Sequence, residues 1–447
     1  MILGGAEVGP AEAPPAGRGY GTEPPGGYPI PPGGFTGEGG GDIFVSSDEP
    51  LLQRRNPQGE LNPAFIMSYE MDRARRGYAK SGDLGLKGIQ GMGIGDVDGD
   101  GATEVVVADE DVVVVYERVM MDLTQRVVIR PSTPKGKILS LDVADINGNG
   151  MLEIYITVIQ MIGEELSSEV WEYDKAEGRY RLILGSQPYF FRVVKGITGR
   201  MELLGQRKRP RMMTDRIGEA LYSPFKRPVK LKWEGERLKE TEVLPLDDVN
   251  VLGLALVDVD RDAVEEYVGF DMLGYMKLFN HRGKVIWVSD GKYGRTGNFY
   301  FRDLGRGLGP SEEIPADRVF LPPRLVIVDL DDDGFEEVVF GYNHEAMTLL
   351  AQTRVFSKSV VFSMSWDGMD FVENWRTREM KGYIGDCQIR DVDGDGRPEL
   401  VLGFIRRMGA ADYLRTRVSL LAFDLKVQKA KKRSKTQGQG EKSKKGS

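Results

Sequence analysis

Five copies of one acidic cassette constrain this chain more than any other feature. They read DVDGDGATE at 96–104, DINGNGMLE at 145–153, DVDRDAVEE at 258–266, DLDDDGFEE at 329–337 and DVDGDGRPE at 391–399. Each has Asp or Asn at positions 1, 3 and 5, an apolar residue at 2 and Glu at 9. Oxygen ligands on alternate residues of a tight loop converge on one hard cation of calcium's size. A single copy would read as an ordinary acidic turn, because Asp, Asn and Gly all favour turns. Five copies in one register point instead to a repeated cation loop, since carboxylates crowded together without a cation repel one another.

The flanking residues decide which kind of loop this is. An EF-hand needs a bidentate Glu at position 12 and a helix on each side. Position 12 is Val107, Ile156, Gly269, Phe340 and Leu402, which excludes the EF-hand and, for the same reason, dockerin-type loops. Short apolar runs surround each cassette, such as ILSLDVAD before and EVVFGYN after, and runs of this length predict strands. The unit is strand, acidic loop, strand. Cassette starts at 96 and 145 are followed by a gap to 258, as if one unit were hidden. The text VVKGITGRMELLG from Val193 onward fits there. With Val194 at position 1, Gly199 and Glu202 fall at positions 6 and 9, while Val194, Gly196 and Thr198 replace the carboxylates. A repeat of about 50–70 residues made of short strands predicts a β-propeller of four-stranded blades.

D-x-D-x-D-G-x-x-E followed by an apolar strand, repeated, resembles the FG-GAP/VCBS repeat of integrin α-subunit heads and of many bacterial exported proteins. The resemblance spans about 64–427 and implies an all-β propeller that binds Ca²⁺. It implies side-chain ligands at Asp96, Asp98, Asp100 and Glu104; at Asp145, Asn147, Asn149 and Glu153; and at Asp258, Asp260, Asp262 and Glu266. In the last two loops they are Asp329, Asp331, Asp333 and Glu337, then Asp391, Asp393, Asp395 and Glu399. The position-7 backbone carbonyls of Ala102, Met151, Val264, Phe335 and Arg397 complete each set. Two departures weaken individual loops. Ala263 stands where the family prefers glycine, and Asn147 with Asn149 leaves the second loop two carboxylates. The loops at 96 and 391 are expected to bind tightest, with 329 close behind.

Six blades are counted, seven being the alternative. The last blade lacks a fourth strand, and the strand-like AFIMSYEM at 64–71 is expected to supply it, closing the ring. Residues 1–41 contain 14 Gly and 8 Pro, so 1–50 reads as a disordered linker. The tail 428–447 reads as disordered and basic. The run from Lys426 to the end holds nine basic residues and one acidic, which leaves about −16 on the rest of a chain of formal net charge −8.

The single Cys387 excludes an internal disulfide and reads as a small buried filler. No apolar run reaches the roughly 18 residues of a transmembrane helix. The N-terminus has neither the basic nor the apolar region of a signal peptide. The resemblance nevertheless favours an extracytoplasmic location, so an incomplete or misassigned start is expected. His281 and His344 sit in no catalytic motif and read as exposed blade residues. The stretches 205–230 and 289–324 exceed what blades need and are candidate binding surfaces. The expected function is a monomeric, non-catalytic binding or adhesion module for a protein or glycan. The alternative is a carbohydrate-active enzyme, a lyase or hydrolase, on the same scaffold; a third is a cytoplasmic scaffold whose basic tail binds nucleic acid or membrane. The acidic body argues against nucleic acid.

Overall fold

The computed structural model describes residues 52–53, 79–119, 122–161, 163–209, 223–302, 317–350, 353–407 and 416–425, all within the unit Gly39–Ser447. The linker 1–50, the tail 428–447 and the segment 64–71 lie outside the described residues. No α-helix occurs among the described residues, and so none is long and apolar enough to cross a membrane.

Six antiparallel sheets form the blades of a β-propeller. Blade one is Gly91–Gly95, Glu104–Ala108, Val113–Val119 and Asp122–Ile129, paired in chain order. Blade two runs from Gly136–Ala144 through Glu153–Gln160 and Ser168–Asp174 to Arg179–Gln187. Blade three consists of Phe190–Lys195, Met201–Gln206, Val229–Glu234 and Arg237–Val243. Blade four follows with Val249–Val257, Glu266–Asp271, Tyr275–Phe279 and Val285–Lys292. Blade five is Val326–Val328, Glu337–Leu350, Thr353–Trp366 and Phe371–Thr377, widened by Leu52–Gln53 on its outer strand. Blade six has Tyr383–Arg390, Glu399–Arg407 and Thr416–Asp424.

The first strands of the six blades touch in sequence around a closed ring, the sixth returning to the first. Most of their residues are buried on both faces, so these strands show no strict alternation, although Asp142, Arg192 and Asp386 interrupt three of them. All nine residues of VNVLGLALV in blade four are buried. By contrast RLKETEV, the outermost strand of blade three, is almost wholly exposed. Crowding at the centre explains the small residues of GMGIG in blade one. A Cβ on Gly91 would collide with the Leu141 backbone nitrogen, and one on Gly93 with the Val143 side chain. The core is a set of layers between neighbouring blades, such as Val106, Val115, Ile138 and Ile156 between blades one and two. Each aliphatic side chain buried this way contributes about 1.5–3 kcal/mol.

The unit hidden near Val194 is a complete blade, but its register differs from the expected one. In the five cassettes position 9 pairs with the residue just before position 1, as Glu104 does with Gly95 and Glu337 with Val328. Glu202 pairs with Val194 itself, so this hairpin is one residue shorter. Its tight turn is closed by Gly196 N–H donating to Arg200 O at 2.8 Å.

Ring closure by an N-terminal strand in the last blade holds, and the strand is Ala79–Lys80, paired with Ala422 and Leu421. Ser81 and Leu84 N–H extend the ladder to Leu420 and Val418 O. The place expected for 64–71 is therefore filled by residues nearer to blade one. Of the two expected binding stretches, the second is partly core: Phe299–Arg302 pairs with Asp317–Phe320, and Tyr300, 2 % exposed, packs on Phe190. His281 is exposed as expected, whereas His344 is half-buried against Tyr342. Cys387 is buried, which pushes its thiol up to about 12.

Candidate metal centres

Each acidic loop joins the first two strands of its blade and is organised by its own carboxylates. Asp96 accepts Gly99 N–H at 2.6 Å through Oδ1 and Gly101 N–H at 3.0 Å through Oδ2. Asp98 Oδ1 accepts Asp100 N–H at 3.2 Å, and Asp100 Oδ1 accepts Ala102 N–H at 2.7 Å. Position 9 folds back on position 2: Glu104, Glu153, Glu266, Glu337 and Glu399 accept from Val97, Ile146, Val259, Leu330 and Val392 at 2.7–3.3 Å. That bond requires a Glu long enough to reach a backbone N–H, while the apolar side chain at position 2 packs into the core between blades, and together these account for both constants of the cassette.

The turn imposes left-handed backbone at two positions, of which the sequence marks one. Position 6 has φ 93° at Gly101, 86° at Gly334 and 63° at Ala263. Position 4 shares this conformation in all five loops: Gly99, Gly148, Arg261, Asp332 and Gly394 have φ between 55° and 77°.

Carboxylate oxygens gather within 4.8 Å of one another in four of the five loops. Loops five (329–337) and six (391–399) bring together all four side chains. Loop one contributes Asp96, Asp98 and Glu104, and loop four Asp258, Asp260 and Asp262. Loop two forms no such group: Asn147 and Asn149 instead donate through Nδ2 to Glu172, at 3.0 and 2.9 Å. Glu172, in the third strand of blade two, thus brings a third carboxylate to this loop. Nothing in the local sequence could announce it, since it lies some twenty residues downstream in an ordinary strand.

Loop five is the most enclosed. Asp331 is 1 % exposed, and its Oδ2 is buried without a hydrogen-bond partner. Burial, with the charge of Asp333 next, pushes Asp331 up to about 6. Burial pushes Glu337 up to about 9, with Asp331, Asp329 and Asp333 adding to the shift. Glu104, Glu153, Glu266 and Glu399 rise to about 7, burial again leading. Four acidic oxygens with one left unsatisfied is the donor set a hard cation completes. Neighbouring blades brace these loops with cations: Lys175 donates to Gly99 O at 2.9 Å, and Arg261 donates to Gly334 O at 2.8 Å while stacking on Phe335.

Fold and loops together define a six-bladed β-propeller with acidic hairpins between the inner strands of its blades. Residues 96–156 match the family model of the FG-GAP-like repeat, and with this ring the chain is an FG-GAP repeat β-propeller. No curated protein matches the sequence. Among solved structures it is similar to the PQQ-bound aldose sugar dehydrogenase of Streptomyces coelicolor, at 13% identity and TM-score 0.39, over 76% of this chain and 95% of that one. The soluble aldose sugar dehydrogenase of Escherichia coli is similar at 10% identity and TM-score 0.39, over 76% and 97%. The Dos1 propeller follows at 8% and 0.34, over 76% and 67%. At TM-scores of this size the likeness bears on no residue's role.

Proposed function

We propose that the protein is a calcium-stabilised β-propeller acting as a non-catalytic binding module, with a protein or glycan as its ligand. The observation that carries the calcium reading is the buried, unpartnered Oδ2 of Asp331 amid the carboxylates of Asp329, Asp333 and Glu337. Bound Ca²⁺ neutralises each loop and locks the hairpin that starts the blade. The rigid ring then presents its longer surface segments, among them a cleft of about 510 Å³ lined by Arg207, Arg209, Lys226 and Arg227. The arginines are held in place by acidic partners, Arg227 on Asp247 at 2.6 Å and Arg207 on Glu240 at 2.8 Å. With the cassette carboxylates assigned to ligation, none of them is offered as an acid–base pair for glycoside chemistry.

Metal analysis with thermal unfolding tests the reading. Calcium at 100 times its Kd stabilises by about 2.7 kcal/mol per site, so excess EDTA lowers the midpoint by many degrees. Protein purified in calcium that contains none, with a midpoint indifferent to EDTA, would sink the calcium reading. Glycan and protein arrays run beside a turnover assay test the rest: binding without turnover is expected, and turnover of a bound glycan would make the protein an enzyme.

A further inference from the structure

The propeller axis carries charges that no cassette explains. Arg324, which leads into blade five, is buried and forks onto Asp386 of blade six: Nε to Oδ1 at 2.9 Å and Nη2 to Oδ2 at 2.8 Å. Its Nη1 donates to Asp142 of blade two, and Nη2 also reaches Leu141 O at 2.9 Å. Arg192 of blade three donates through Nη1 to the same Asp142 at 3.3 Å and through Nη2 to Leu252 O. Backbone N–H groups saturate both carboxylates, Met92 on Asp386 at 2.8 Å and Val193 on Asp142 at 3.1 Å. Two carboxylates thus serve two guanidiniums, and the Nε of Arg192 still has no partner.

A third guanidinium tips the balance. Arg390, at the end of the first strand of blade six, donates only to Ile389 O, at 3.1 Å, and forms no ion pair among the described residues. Its side chain is exposed to solvent and lines a channel on the propeller axis. That channel is a cavity of about 100 Å³ to which every blade contributes: Ile94, Val143, Val194, Leu256, Ile327 and Arg390 all line it. Its volume equals about three waters' share of the liquid. Three guanidiniums thus share two carboxylates about the axis, and a planar guanidinium fork is the shape that grips oxyanions.

We infer that the axial channel holds a small oxyanion, of the size and charge of acetate or sulfate, against Arg390. The ligand enters along the propeller axis past Lys195, which lines the same cavity and pairs with Glu336 at 2.8 Å. Arg390 directly precedes the loop that begins at Asp391, and Glu336 belongs to the loop at 329–337, so the site adjoins two acidic loops and is read apart from them by titrating with calcium present.

Calorimetric titration of the full chain with sodium sulfate and with sodium acetate, at constant ionic strength in chloride and with calcium present, tests the inference. Saturable one-to-one binding is expected, weakened at least tenfold in Arg390→Gln. Thermal stability of that variant should equal or exceed the parent's, because the removed cation has no ion pair. Arg390→Lys keeps the charge without the fork and should fall between the two, which serves if the Gln variant does not fold. Arg227→Gln, in the surface cleft, should bind as the parent does. Absence of saturable binding, equal binding by Arg390→Gln and the parent, or loss in Arg227→Gln alone would each overturn the inference.

Discussion

In blade five the hairpin between Val328 and Glu337 gathers four carboxylates and leaves one oxygen of Asp331 buried without a partner. In blade three the corresponding hairpin, between Val194 and Glu202, retains one acidic side chain. Yet both blades are complete, with four strands each in the same order. The difference lies in where the positive charge comes from. Lys230, in the third strand of blade three, places Nζ 3.0 Å from Glu202, 2.9 Å from Glu265 and 3.8 Å from Glu242. Burial works against its charge, but hydrogen bonds to Glu265 and Glu202 more than offset this and hold the ammonium above its usual range. Blade three carries its cation covalently, whereas on the calcium reading proposed above the carboxylates of blade five take theirs from solution. The strand pairing and inter-blade packing of blade three make a blade without an acidic cluster, so the proposed metal bears on the crowded loop and not on the blade itself.

pH separates the two most broadly. Without metal, Glu337 keeps its proton to about pH 9 and Glu104, Glu153, Glu266 and Glu399 keep theirs to about 7, against an ordinary value of 4.5. Between those limits the folded protein binds more protons than the unfolded chain, so stability in EDTA falls as pH rises. Calcium replaces those protons, so its binding strengthens with pH and releases acid. Unfolding midpoints at pH 5 and 8 should therefore drop in EDTA, while the gap between calcium and EDTA widens. A midpoint in EDTA that is flat or rising over this range would break the comparison.

Single substitutions sharpen it. Asp331→Asn should cost about 2–3 kcal/mol in saturating calcium, the worth of one occupied site. In EDTA it should be neutral or stabilising, since a buried carboxylate is removed. Lys230→Met should behave differently, costing about 1–3 kcal/mol to the same extent with calcium and with EDTA, because it strands Glu202 and Glu265 around a missing cation. Denaturant unfolding of both variants in both conditions checks this. Restoration of Lys230→Met by calcium would mean that blade three also hosts a metal.

Several of these features were legible in the sequence, and the reasons differ from residue to residue. The acidic loops were visible because local backbone geometry demands their spacing: positions 1, 3 and 5 each accept from the turn, and Glu at 9 reaches position 2. Blade three was visible from spacing alone, but its register was not, since a Gly and a Glu can be aligned one residue apart without conflict. Lys230 lies some thirty residues from the turn it serves, in a strand that reads as any other. The axial charges were hidden for a similar reason. Asp142, Arg192, Arg324 and Asp386 are scattered along the chain, each inside a strand or just before one, and only ring closure brings them together. The closing strand was misplaced because AFIMSYEM has the apolar content of a strand, whereas Ala79–Lys80 is two residues long and held by backbone bonds that require no particular side chain.

The smallest effect expected lies in blade four, whose loop combines the acidic pattern with unfavourable backbone. Both of its left-handed positions carry side chains, Arg261 at φ 63° and Ala263 at φ 63°, where loops one, two and six have glycine at both. A left-handed non-glycine residue costs roughly 1–2 kcal/mol. Arg261 offsets its own cost by donating to the blade-five loop and stacking on Phe335, but Ala263 is exposed and its methyl group is engaged in no such contact. Ala263→Gly should relieve the strain, while the greater freedom of glycine in the unfolded chain takes back part of the gain. The net expectation is about 0.5–1 kcal/mol of added stability, with calcium binding at Asp258, Asp260 and Asp262 tightened a few-fold, since a relaxed turn no longer has to be forced into place by the ion. Arg261→Gly is the informative contrast. It removes the same kind of strain but also the brace between blades four and five, and should give no net gain. Calcium titration of the two variants settles the point: equal or weaker binding in Ala263→Gly would show that the strained turn is not what limits this loop.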